Sequence, residues 1–254
     1  MFTPDPDYVP FCGMPPLPAE LMARWTLDPA LLAGLALALA LGLWRVPAGG
    51  GARASFISGW GLTAIAFVSP ICALSMALFS ARVGQHLLLT LVAAPLIAHA
   101  LDGRRVPPMG GAIVFSGFFW FWHLPTPYQT TLQSDAIYWA MHLTLLGSAI
   151  VFWSALFGRM DRQPISGFLS AILVGAQMSA LSAILVFSTG LWHDWHRAVT
   201  APYGLSAMAD QALAGGLMWV FGSLLFVGAI GLMVVRLVAR AESRAGIGHA
   251  TSPR

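Results

Sequence analysis

Residues 167–190 read GFLSAILVGAQMSALSAILVFSTG, 24 positions without one Asp, Glu, Lys or Arg. Wound as a helix at 1.5 Å per residue, the stretch is about 36 Å long, enough to cross a hydrocarbon core of about 30 Å. It lacks the apolar–polar alternation of a barrel strand, and lipid leaves backbone groups satisfied only in helices and closed barrels. It reads as a membrane helix. Six further apolar runs share the chain with it, at 29–46, 56–79, 83–101, 109–124, 135–157 and 209–236. The run at 109–124 is the shortest, and Gly110 and Gly111 near its start predict tilt or a break. The expected fold is an all-α membrane protein of one domain, a seven-transmembrane-helix bundle over 29–238, preceded by a Pro-rich leader at 1–28 and followed by a tail at 239–254.

Composition agrees. Of the 254 residues 57% are hydrophobic and 9% charged, against a charged share of about 25% in soluble domains. The 13 basic residues are all Arg, and the net charge of +3 is too thin and scattered for nucleic acid. The two cysteines, Cys12 and Cys72, make neither a disulfide framework nor a CxxC metal site, so lipid rather than cross-links is expected to hold the fold.

With the amino terminus outside, the inner face receives Arg45, Arg53, Arg104, Arg105, Arg159, Arg162, Arg236, Arg240, Arg244 and Arg254, and the outer face only Arg24, Arg82 and Arg197. The positive-inside rule then predicts a periplasmic amino terminus and a cytoplasmic carboxyl terminus. The leader has no basic start, so it reads as the flank of an uncleaved anchor rather than a secretory signal. Trp25, Trp60, Trp122, Trp139, Trp192 and Trp195 sit near run ends, where aromatic belts form. Gly34, Gly42, Gly84, Gly117, Gly147, Gly175, Gly215 and Gly216 read as close-packing positions between helices.

Chemistry is sought in polar residues that lipid makes costly. His86, preceded by Gln85, lies just inside the outer end of the third run. His123 closes the fourth, and His142 stands about 10 Å down the fifth. His193 and His196 occupy an outer loop, and Asp210 opens the seventh run. Five of seven His therefore fall on one side, away from His99 and His249. Imidazole with thioether and thiol favours soft metals such as copper(I). Met141 beside His142, Met76, Met208, and Cys12 with Met14 in the leader extend that set. Each residue also has a plain structural reading: His as a hydrogen-bond partner between helices, Met as core filler, Cys12 as an inert thiol, Asp210 as the cap of its own helix.

The segments GQHLLLTLVAAPL (84–96), FWHLPTPY (121–128), MHLTLLGSAIVFW (141–153), LSAILVFSTGLW (181–192) and ADQALAGGLMW (209–219) together resemble the CtaG family of polytopic cytochrome c oxidase assembly proteins. The likeness runs from about Ser69 to Trp219, and its most specific part is Asp-Gln-x-x-x-Gly-x-x-x-Trp at 210–219. The resemblance implies an assembly factor of a bacterial inner membrane, not an enzyme, that helps mature the copper centre of a haem–copper oxidase, with subunit I as partner. It carries over His86, His123, His142, Asp210 and Gln211. Three positions depart from the pattern: Arg82 and Tyr138 stand where the family has His, and Met141 where it often has Glu. Arg82 offers no lone pair to a metal.

The expected site is thus His86, His123 and His142, with Met141, His193, His196, Cys12 and Met14 as further ligands, and Gln85, Asp210 and Gln211 orienting imidazoles. Two other functions fit the same residues. A copper or small-solute transporter would draw on Gln177, Ser179, Ser182 and His99 toward the inner side. A metal-free scaffold would stabilise subunit I with purely structural His residues.

Overall fold

The computed structural model describes residues 8–47, 50–101, 106–159 and 162–250, the side chains of 236 and 240–250 excepted. Arg104, Arg105 and Arg254, and the side chains of Arg236, Arg240 and Arg244, lie outside the described residues. Within them the fold is helical, with no strand: α1 (Pro29–Arg45), α2 (Gly51–Val68), α3 (Ile71–Ala77), α4 (Phe79–Leu87), α5 (Ala94–His99), α6 (Pro108–His123), α7 (Pro125–Thr131), α8 (Asp135–Arg159), α9 (Pro164–Phe187) and α10 (Ala207–Ala250). Leu88–Ala93 is π-helical and joins α4 to α5 in one rod, Phe79–His99.

Among the described residues four segments are long and apolar enough to cross a membrane: Phe79–His99, Asp135–Arg159, Pro164–Phe187 and Ala207–Ala239. The pair α2 and α3, bent by 50°, makes a fifth if it is one span. The helices of the first and fourth runs are shorter than these, α1 with 17 residues and α6 with 16, or about 24–26 Å at 1.5 Å per residue. The glycine pair does not break α6, because Gly111 seats it on α8: a Cβ there would come 3.0 Å from the Phe152 Cα.

Local sequence explains the boundaries. Asp28 accepts a hydrogen bond from the Leu31 amide (2.8 Å) ahead of Pro29 and starts α1. Pro70 forces Ser69 into extended backbone, which stops α2 and creates the bend to α3. The rod Phe79–His99 and α8 form the buried centre. Around them α2 lies on α5, α6 on α8 and α9, and α10 on α9 and α4. Outermost is α1, with only Leu31 buried. Leu37, Trp44, Ile165, Phe187, Leu224 and Val227 give the exterior an apolar skin suited to lipid chains.

Three expectations need correction. Cys12 and Cys72 form a disulfide across a sequence separation of 60, so the fold does carry a cross-link. It pins the leader to α3, and Tyr8 donating to Asp135, Phe11 stacked on Tyr138 (5.4 Å) and Tyr203 donating to the Pro16 carbonyl (3.0 Å) lay the leader over the bundle. Arg82 is not in an outer loop. The second and third runs are joined by α3 and the single extended residue Leu78, which puts Arg82 inside α4 and wholly buried. Among the eight glycines, only Gly42, Gly175 and Gly215 lie where a Cβ would meet another element. Gly34, Gly84, Gly117, Gly147 and Gly216 face open space, and the closest approach elsewhere is at Gly59.

Candidate functional site

The break at Leu78 decides how the site is built. Its extended backbone leaves the Phe79 and Ser80 amides without intrahelical acceptors inside the bundle. Asp210 of α10 supplies them: its carboxylate accepts from Phe79 N (2.6 Å), Ser80 N (3.1 Å) and the Ser80 hydroxyl. Asp210 therefore caps α4, not its own helix, where Ser206 accepts from the Ala209 amide (3.1 Å). Beside it Gln211 accepts from Trp192 N (2.8 Å) and donates to the Gly190 carbonyl (3.2 Å), fastening the exit of α9. These contacts bring the start of α4, the end of α9 and the start of α10 to one end of the bundle. Among the described residues the side-chain hydrogen bonds of both go to backbone groups and to the Ser80 hydroxyl. Gln85 donates to the Ala66 carbonyl of α2 (2.7 Å), and its Oε1 is buried without a partner.

One turn into α4, Arg82 lies between the rings of Tyr128 (5.5 Å) and Tyr138 (5.8 Å). It donates to the Ser75 carbonyl (3.4 Å) and the Met76 sulfur (3.1 Å), while Nη1 has no partner. No carboxylate forms an ion pair with it among the described residues. Aromatic faces are what this buried cation has instead.

The next turn carries His86, whose ring stands 5.2 Å from that of His142 and 6.2 Å from that of His123. Three imidazoles from α4, α6 and α8 thus lie side by side, each buried. Their nitrogens are not equivalent. His123 Nδ1 meets the Phe119 carbonyl (2.6 Å) and His142 Nδ1 the Tyr138 carbonyl (2.9 Å), each four residues back on its own helix. A carbonyl only accepts, so Nδ1 carries the proton in both and Nε2 keeps its lone pair. His142 Nε2 and both His86 nitrogens are buried without a hydrogen-bond partner.

The two histidines of the loop after α9 divide. His196 is fully engaged, with Nδ1 donating to the Ala77 carbonyl (3.3 Å) and Nε2 accepting from the Tyr128 hydroxyl (2.7 Å). His193 packs on Tyr128 (4.0 Å) and Phe79 (4.5 Å) with both nitrogens buried and unpartnered. Burial, then the neighbouring His123, His196 and Arg82 charges, hold it far below the usual imidazole range. It is neutral at pH 7.

Cys12, as a disulfide, has no thiolate to offer, and Met14 is 52% exposed in the leader. Met141 is buried in α8 next to His142. Of the residues considered for a transport path, Gln177 accepts from Trp120, Ser182 donates to the Met178 carbonyl, and His99 lies against Phe157. Among the described residues no three His, Cys, Asp or Glu side chains are set to hold a metal ion by themselves.

Two side chains not singled out from the sequence join the group. A small cavity flanked by His86 and His123 is also lined by Met178 of α9 and Met218 of α10. A signal was available: both methionines lie in the halves of their helices nearer the end that Asp210 and Gln211 tie together, at about the depth of His86.

Comparison with known proteins gives one finding. The model of the family described as cytochrome c oxidase caa3 assembly factor matches residues 37–106 and 104–240. No curated protein and no solved structure matches the chain. The match extends beyond the five motif segments on both sides and takes in the helices that carry His86, His123, His142 and Asp210, so the chain belongs to the CtaG family of cytochrome c oxidase caa3 assembly factors.

Proposed function

We propose that this protein receives copper at the outer face of a bacterial inner membrane and holds it for subunit I of a haem–copper oxidase during assembly. Copper is its cargo, bound among His86, His123 and His142. The observation that carries the reading is the state of these rings: His123 and His142 are fixed through Nδ1, the His142 Nε2 is buried without a partner, and His86 has no partner at either nitrogen. Fixing one ring nitrogen by a carbonyl is the usual way a protein prepares an imidazole for a metal. Unpaired buried nitrogens are otherwise a cost of about 1–3 kcal/mol each, which a bound cation would offset.

The topology that serves this role has seven spans with the amino terminus outside. The short α1 and α6 cross in thinned or locally adapted bilayer, and the α2–α3 pair enters as a bent span. The arginine distribution supports it, and so does the disulfide, since such bonds persist in the periplasm and not in the cytosol. No catalytic step is required of the protein.

A metal-free scaffold for subunit I is the second reading. It is favoured by the Arg82 charge beside the imidazoles and by the lack of a three-residue His, Cys, Asp or Glu set among the described residues. Anaerobic loading of the detergent-purified protein with copper(I) separates the two. Stoichiometric copper on the wild type, lost together with oxidase maturation in the His86, His123 and His142 triple Ala variant, is the expected result. A wild type that stays copper-free, or a triple variant that still matures the oxidase, leaves the scaffold reading in its place.

A further inference from the structure

Four helices each contribute one residue with a nitrogen or sulfur donor to the lining of the same small cavity: His86 from α4, His123 from α6, Met178 from α9 and Met218 from α10. All four are buried, the two methionines at 2% and 1% exposure. Counted from the helix ends that Asp210 and Gln211 tie together, His86, Met178 and Met218 lie 7, 9 and 11 residues deep, or about 10–17 Å. They share a level as well as a wall.

The rest of the lining is apolar except for Thr90, whose hydroxyl already donates to the His86 carbonyl (2.7 Å). No carboxylate faces this space. A hard cation would therefore lose its hydration shell for nothing, and a divalent ion would bring charge that no anion balances. Thioether sulfur and imidazole nitrogen are ligands that copper(I) accepts, and its single charge asks least of an apolar, water-poor setting. Gly222 sits beside the Met178 methyl, where a Cβ would come within 3.4 Å, so the α10 backbone leaves the thioether its room.

We infer that Met178 and Met218 complete, with His86 and His123, a two-nitrogen, two-sulfur site selective for the cuprous ion. The site rests on the copper-delivery reading and assigns it an oxidation state and a seat: the side of the imidazole cluster where His86 and His123 share a cavity with the two thioethers. It also accounts for the lack of a metal-holding trio of His, Cys, Asp or Glu there, since half of its ligands are thioethers.

The test uses the full-length protein in detergent, loaded anaerobically with copper(I), and with zinc(II) as a control, and read by metal content and by X-ray absorption at the copper edge. Sulfur scattering is expected from the copper(I)-loaded wild type, with little zinc retained. Met178→Leu and Met218→Leu keep the volume of the side chain, so the fold should survive. Each is expected to weaken copper(I) binding at least about tenfold, and the double variant to abolish the sulfur signal. A copper-loaded wild type with nitrogen scattering alone, or methionine variants that bind copper(I) as the wild type does, overturns the thioether site and leaves copper delivery standing. A wild type that binds no copper overturns both.

Discussion

At the scale of single residues, Asp210 shows how a correct identification can carry the wrong job. Its place at the start of an apolar run suggests a cap for its own helix, but that helix is begun by Ser206, and the carboxylate reaches 130 residues back to α4. The need arises at Leu78, where one extended residue strands two amides in a setting without water. Asp210→Ala should cost about 3 kcal/mol or more in thermal unfolding in detergent, because the donors it now satisfies are left bare. Asp210→Asn, with one acceptor oxygen retained, should lose less; an Ala variant that melts with the wild type would remove the capping role. His196 gives a prediction in pH. Burial first, and then the Arg82 charge, lower it to about 3, against the small opposing effect of its bond to Ala77. The unfolded imidazole titrates near 6.5, so between that value and about 3 the unfolded form binds more protons and stability falls as pH falls. Docking of the loop at 191–204 should be at full strength above pH 7 and weaker by about 2 kcal/mol at pH 5. Amide exchange in that loop is the measurement, and equal protection at both pH values would refute it.

At the scale of elements, helix existence was legible and helix contacts were not. The run at 167–190 appears as Pro164–Phe187 and that at 135–157 as Asp135–Arg159, because an apolar stretch of this length has one outcome in lipid. The seam between the second and third runs was misread because Ser69-Pro70 and Leu78, not the charge of Arg82, end the helices there. Glycine shows the limit most clearly. Composition says that small residues let helices approach, but not which ones face a neighbour. Gly59 meets the Ala93 carbonyl oxygen at 2.8 Å from a would-be Cβ, and Gly215 the Ser182 carbonyl oxygen at 2.9 Å. Both obstacles are backbone and cannot step aside. Gly59→Ala and Gly215→Ala should each destabilise by about 1–3 kcal/mol. Gly147→Ala, with nothing within 4 Å, should be neutral or stabilising by up to about 1 kcal/mol, since alanine is the better helix former. Melting temperatures of the three variants side by side would show whether close approach or glycine content matters.

At the scale of the whole molecule, the sequence reveals which polar residues share a side and leaves open which of them touch. His86, His123 and His142 were found from that side alone, and the bundle does set their rings next to one another. Met178 and Met218 went unnoticed because a methionine in an apolar helix carries no mark until the opposite wall of its cavity is known. The disulfide went unnoticed for a like reason: two isolated cysteines have no pattern, and only the fold of the leader across α3 and α8 brings them together. That cross-link makes the orientation of the molecule testable without altering its core. Both native cysteines are occupied, so a single introduced cysteine is the only free thiol. Asp194 lies in the loop joined to the leader side through Trp195 and Met76, whereas Gln163 lies at the opposite end of α9. If the amino terminus is outside, Asp194→Cys in intact cells should react with a membrane-impermeant maleimide, and Gln163→Cys should react only after the cells are opened. The reverse pattern would turn the bundle over, put the disulfide in a reducing compartment and move the imidazole cluster to the cytoplasmic half, where it could not load an oxidase from the periplasm.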